Sequence, residues 1–340
     1  MIRGAILATL LAWTFTAQAG PCRPDGPVPE TIYGASPPVT YLLYSLAPER
    51  LAGLNFPPHA RERRFLHPAV LDLPVIGGWF GQGRTPNLET LLDVDPGLVV
   101  TSAHRKGDGR IIDTLDRLGL ATCQLTLDRL EDYPAAYRTM GERLGLPERG
   151  EALARYVEDV LARAETVTGT ISGDERPTVY YAEGPDGLQT ECHRSWHATL
   201  IPRAGGLNPH RCGQRYGFGR ERIPFEQLLT YDPDVILAGN PALLDHIEND
   251  ARWQHLRAVR EGRVWVIPQA PFNWFDRPPS FMRVLGLQWL LHRLYPERAT
   301  GDLVGITRDF YRQFLGVDLD AATARALIDG RPIQRKKEEK

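Results

Sequence analysis

Asn87-Leu88-Glu89-Thr90-Leu91-Leu92-Asp93-Val94-Asp95-Pro96-Gly97-Leu98-Val99-Val100 has a counterpart 137 residues further on, Pro224-Phe225-Glu226-Gln227-Leu228-Leu229-Thr230-Tyr231-Asp232-Pro233-Asp234-Val235-Ile236-Leu237. Each copy reads as a short helix with an acid in its first turn, a stop at Asp-Pro, and an aliphatic run suited to a buried strand. Proline bars the residue before it from continuing a helix, so Asp95-Pro96 and Asp232-Pro233 end both helices alike. One such unit is ordinary α/β punctuation. A match this long, with one copy in each half of the chain, points to two duplicated lobes.

Working outward, short β-branched and aliphatic runs at 31–34, 98–101, 121–125, 178–182, 235–238 and 264–267 alternate with stretches of helical period, such as Ile111, Ile112, Leu115 and Leu118. This alternation predicts an α/β fold with parallel sheets covered by helices. The longest helical pattern opens at Pro147, a favourable first-turn residue. It carries Leu153, Val157, Val160, Leu161, Ala164 and Val167 on one stripe. The pattern places a first lobe at 20–146, a connecting helix at 147–172 and a second lobe at 173–330, with a charged tail at 331–340. A single helix between lobes resists wide hinge bending, so a small closing motion is expected.

The 340 residues include 40 Lys+Arg against 42 Asp+Glu, a net charge of −2. That balance lacks the basic footprint of a nucleic-acid-binding protein. Met1-Ile2-Arg3, the apolar residues 4–17 and Ala17-Gln18-Ala19 form the three parts of a signal peptide, residues 1–19. The apolar part is shorter than the ~20 residues that span a bilayer. Export to the periplasm as a soluble protein is expected. Gly20-Pro21 before Cys22 makes a lipid anchor there the less favoured reading.

Export permits disulfides. Of the three pairings open to four cysteines, pairing within each half is the economical one: Cys22 with Cys123, and Cys192 with Cys212. A metal site is the alternative, drawn from Cys192, His193, His197, His210 and Cys212. His193 and His197 would share a face of a helix, although no Cys-x-x-Cys or His-Glu-x-x-His pattern accompanies them.

Three further stretches narrow the reading: Leu73-Pro74-Val75-Ile76-Gly77-Gly78-Trp79 followed by Pro86-Asn87-Leu88-Glu89; Ile223-Pro224-Phe225-Glu226-Gln227-Leu228-Leu229; and Trp274-Phe275-Asp276-Arg277-Pro278-Pro279-Ser280. With the central helix, they resemble the periplasmic substrate-binding proteins that feed metal-chelate ABC importers for ferric siderophores, haem and vitamin B12. The resemblance runs from about Glu30 to about Leu315. It implies two Rossmann-like lobes joined by one long rigid helix, the class III arrangement, with the ligand between the lobes. It further implies an iron or other metal complex as ligand, with no intrinsic cofactor and no enzymatic activity. The implied partner is a permease dimer in the inner membrane, contacted through Glu89 on one lobe and Glu226 on the other. A monomer is expected.

In open parallel sheets the ligand sits beyond the carboxyl ends of the strands. Loops there nominate Trp79, Arg84, His104, Trp274 and Arg277, with Tyr181 and Glu183 from the second lobe. Indole faces offer flat apolar area to a chelate, and guanidinium groups pair with carboxylates or oxyanions. Two other functions fit the same residues less well. One is a binding protein for a bare ion or oxyanion, such as molybdate or a nickel complex. The other is an exported metalloenzyme built on the Cys192, His193, His197 and His210 cluster with Glu191 as base.

Overall fold

A computed structural model describes residues 21–23, 26–60, 62–80, 85–103, 108–213 and 219–330. The signal peptide read at 1–19, the tail at 331–340, Arg84 and His104 lie outside the described residues.

Two parallel three-stranded sheets form the lobes. In the first, β1 (Ile32–Gly34), β2 (Leu98–Ser102) and β3 (Thr122–Leu125) lie in the order β1-β2-β3. In the second, β4 (Val179–Ala182) is followed by a small antiparallel pair, β5 (Gln189–Thr190) and β6 (Glu221–Arg222). The sheet is completed by β7 (Val235–Ala238) and β8 (Val264–Val266), in the order β4-β7-β8. The six aliphatic runs of the sequence therefore supply the six sheet strands, within a residue or two. β1, β4 and β7 are buried along their whole length, and β2 along all but its last residue, because helices cover both faces. The β5–β6 pair is an addition that the sequence pattern does not announce.

The repeat is a repeat of conformation. The helices Leu88–Val94 and Phe225–Tyr231 lead into β2 and β7, the central strands of the two sheets. Each helix ends at an aspartate in the left-handed region, Asp95 at φ 40° and Asp232 at φ 32°. These are the two non-glycine residues of positive φ among the described residues. Their backbone N–H groups return to Leu92 O (3.2 Å) and Leu228 O (3.1 Å), capping the helix ends. Aspartate tolerates this conformation better than most residues, and the proline that follows fixes the exit.

The connecting helix, Pro147–Gly169, has 23 residues and runs about 35 Å at 1.5 Å per residue. Its buried stripe is Gly150, Leu153, Ala154, Val157, Val160 and Ala164. Leu161 and Val167 are only half-buried. It lies against the helix Tyr133–Arg143 at a distance that two glycines permit: a Cβ on Gly150 would stand 2.5 Å from Tyr137 O and 2.9 Å from Gly141 Cα. Arg138 clasps Glu151 and Glu158 along the seam, each at 2.6 Å.

The lobes are joined by more than this helix. The helix Leu303–Phe310, the last but one α-helix among the described residues, runs into a π-helical turn, Tyr311–Leu315, that returns to the first lobe. There Tyr311 packs on Phe65 and Phe314 on Tyr137 and Tyr156, with ring centroids 5.2–6.1 Å apart. One apolar cluster thus includes residues of both sheets and the connecting helix. Arg203 of the second lobe pairs with Glu131 of the first. The disulfides Cys22–Cys123 and Cys192–Cys212 each close within one half.

The glycine seam yields a test. Gly150→Ala should lower unfolding stability by about 1–3 kcal/mol through overpacking, although alanine gains ~1 kcal/mol over glycine in a helix interior. Gly169→Ala, where a Cβ meets nothing within 4 Å, should be neutral or stabilising. Denaturant midpoints of the two variants check this.

Candidate ligand-binding cleft

A cavity of about 320 Å³ opens between the lobes. Its first-lobe wall comes from the helix Pro37–Leu46, whose start is set by Pro37 and Pro38 in the first turn. Tyr41 and Tyr44 stand one turn apart on the same side of that helix and both line the cavity. Phe272, in the loop after β8, joins them from the second lobe with its ring centroid 4.0 Å from Tyr41 and 5.9 Å from Tyr44, so the three rings touch and form one aromatic wall. Burial raises the pKa of Tyr41, and the charge of Glu62 adds to it. Burial likewise pushes Tyr44 up to about 12. Both phenols are therefore neutral hydroxyls at physiological pH.

Asn55, Phe56, His59, Gln269, Asn273 and Arg277 add polar and aromatic lining. The Asn55 amide donates to Gly34 O (3.0 Å) and to Gly77 O, while its buried Oδ1 has no hydrogen-bond partner among the described residues. Gly77 and Gly78 make this possible. Gly77 has φ 91°, and a Cβ on Gly78 would stand 2.8 Å from the Asn55 amide nitrogen. The loop after β8 is seated by a similar close approach, because a Cβ on Gly286 would lie 1.8 Å from Trp274 O.

Behind Arg277 lies a buried charge cluster. Its Nε donates to Glu183 (2.8 Å), its Nη2 to Glu191, and Asp276 stands at 3.4 Å. All three carboxylate side chains are at most 4% exposed, whereas Arg277 is 27% exposed. Tyr181 OH donates to Asp276 Oδ1 (2.7 Å), His197 Nδ1 lies 2.7 Å from Asp276 Oδ2, Ser195 Oγ donates to Glu191 (2.6 Å), and Arg220 reaches Glu183 (3.2 Å). Burial opposes the Arg277 charge, but Asp276, Glu183 and Tyr181 outweigh it and raise its pKa. Burial pushes Glu183 up to about 7 against the pull of Arg277.

These positions revise the sequence expectations. Of the nominated ligand residues that are described, Arg277 reaches the cavity. Trp274 does not: it is fully buried, packs toward Tyr311 and donates its indole N–H to Ala270 O (3.2 Å). Phe272, two residues earlier, takes the place expected of it. Tyr181 and Glu183 are also buried and stand behind Arg277. Trp79 is half-buried against the first lobe's smaller core cluster. Tyr41, Tyr44 and Asn55 were missed, although the tyrosine spacing behind Ser36-Pro37-Pro38 was a readable helical signal.

The metal cluster is also corrected. Cys192 and Cys212 are bonded to each other, so neither offers a thiolate. His193 and His197 share no helix, since His193 lies in a turn and His197 in the short 3₁₀ helix Trp196–Ala198. His193 Nδ1 accepts from Cys212 N (3.4 Å), and His210 contacts Tyr231 and Glu221. Glu191, weighed as a base, is committed to Arg277 and Ser195.

Glu89 and Glu226 are exposed in the first turns of their matched helices. Leu92 and Leu229, also matched by the repeat, are exposed beside them. No helix among the described residues is long and apolar enough to cross a membrane.

Comparison with known proteins agrees with this architecture. Residues 79–271 match the periplasmic binding protein family. An ABC transporter solute binding protein from Sulfurospirillum deleyianum is 35% identical, with 88% of this chain and 94% of that one covered and a TM-score of 0.82. The molybdate-binding protein MolA of Haemophilus influenzae is 29% identical over 149 residues, so the match spans 43% of this chain and 41% of that protein. The vitamin B12-binding protein BtuF of Vibrio cholerae shares the fold at 18% identity, with 78% of this chain and 97% of that one covered and a TM-score of 0.59. The chain belongs to the periplasmic binding protein family, a family of substrate-binding proteins and not of enzymes.

Proposed function

We propose that the chain, exported through residues 1–19, captures a metal chelate with a flat organic periphery, such as an iron–siderophore complex. It holds the complex between its lobes and delivers it to the permease dimer of an ABC importer. The observation that carries this reading is the aromatic wall of the cavity, Tyr41 and Tyr44 from one lobe packed with Phe272 from the other. A bare oxyanion gains nothing from the electron-rich ring faces, whereas an organic ligand buries apolar area against them. The cavity volume lies at the lower end of the range for small-molecule sites. A second reading, a molybdate-like oxyanion, is favoured by the similarity to MolA. Fluorescence titration separates the two readings. A ferric chelate, haem or cobalamin should quench the protein. Tyr41→Ala and Phe272→Ala should each weaken that binding by about 1–3 kcal/mol. Binding of molybdate alone, unchanged in both variants, contradicts the chelate reading.

Glu89 and Glu226 place one exposed acid on each lobe at positions related by the internal repeat. We read them as the docking pair for two identical permease subunits, contributing encounter rate and orientation. An acid in the first turn also complements the helix dipole, worth ~0.3–1 kcal/mol, and duplication accounts for one on each lobe; the docking reading adds that both face a partner. The Glu89→Arg, Glu226→Arg double variant should fold and bind ligand normally yet abolish uptake by cells. Normal uptake at normal periplasmic abundance contradicts the docking assignment.

A further inference from the structure

Arg277 is shared between two environments. Its guanidinium lines the cavity, while the carboxylates of Glu183, Glu191 and Asp276 hold it from behind. These acids are not equally able to lose it. Glu191 keeps the Ser195 hydroxyl as donor, and Asp276 keeps the Tyr181 hydroxyl and His197 beside it. The side-chain partners of Glu183 among the described residues are arginines only: Arg277 and the half-exposed Arg220.

We propose that an anionic group of the ligand takes Arg277 from Glu183, and that Glu183 takes a proton from solvent in exchange. Arg277 is then the anion partner, and Glu183 is the positioning residue that couples binding to proton uptake. This rests on the cleft being the ligand site, and it deepens that reading by giving the ligand an anionic face.

The balance is simple. Arg277 stays protonated throughout, and one proton passes from water to the Glu183 carboxylate. A carboxylate that is 4% exposed and stripped of its main cationic partner favours the neutral acid. The surroundings of Glu183 offer limited relief. Arg277 and Asp276 face it from the loop after β8, Arg220 from the segment before β6, and Tyr180 and Tyr181 from its own strand. Glu191 and His197 lie beyond Arg277 and Asp276. In the free protein Glu183 titrates at about 7, and losing Arg277 raises it further. Above that pH the free protein holds a carboxylate and the complex an acid, so affinity for anions falls as pH rises. Below it Glu183 is already protonated and binding is insensitive to pH.

Titration calorimetry at pH 8, in two buffers of different ionisation heat, reads the exchange directly. The probes are sodium molybdate and the iron(III) complex of a hexadentate tricatecholate. The wild-type protein should take up close to one proton per anion bound, and its Kd should rise about tenfold per pH unit above neutrality. Glu183→Gln should take up none and show a flat pH profile, with its thermal midpoint as the check on folding. If that variant does not fold, the proton count of the wild-type protein decides alone. Binding without proton uptake, uptake retained in Glu183→Gln, or binding of neither anion overturns the proposal. Uptake with molybdate but no binding of the ferric complex keeps the exchange and removes the chelate reading. Chelate binding without uptake does the reverse.

Discussion

The cleft depends on how one arginine is held. Arg277 joins the end of β4 through Glu183, the turn after β5 through Glu191, and its own loop through Asp276. A buried charge is tolerated only when paired and hydrogen-bonded, and removing one partner leaves the others stranded at a cost of several kcal/mol. The loop after β8 therefore has little freedom to move away from the second lobe. That loop also carries Phe272, so the charge cluster fixes the aromatic wall on one side of the cavity. Gly286 completes the seating by letting Trp274 O approach the helix Met282–Leu294.

The first lobe's share of that wall is fixed by apolar packing. Tyr41 and Tyr44 project from a helix whose other residues, Val39, Leu42, Leu43 and Leu46 among them, are buried in the large cluster common to both lobes. The same cluster takes in the connecting helix and the C-terminal turn at Tyr311–Leu315. Interiors packed in this way transmit strain instead of absorbing it. The two lobes' shares of the wall accordingly meet on a framework that favours small adjustments over wide opening.

Much of this was legible in the sequence because it is local. The strands announce themselves by aliphatic runs, the lobes by the 137-residue repeat, and the connector by its apolar stripe. The ends of the two matched helices were foreshadowed by the Asp-Pro pairs. The site was less legible, because a ring's role depends on what packs over it. Trp274 and Phe272 are both aromatic residues of one loop, and only tertiary packing sends the indole to the core and the phenyl to the cavity. The Cys192 and Cys212 spacing favoured a disulfide with a metal site as the alternative, and their bond in the fold decides it. Arg277 was singled out in the sequence and lines the cavity, but its neighbour Asp276 and two acids from distant positions, Glu183 and Glu191, hold it.

The central claim is that the cavity lined by Tyr41, Tyr44 and Phe272 holds a metal complex with an organic periphery. Native mass spectrometry with elemental analysis, on protein taken directly from the periplasm of cells that import its ligand, tests this most directly. The account predicts one organic metal complex per chain in the wild-type protein and its loss in Phe272→Ala. Molybdenum bound without any organic mass, retained in that variant, would contradict it.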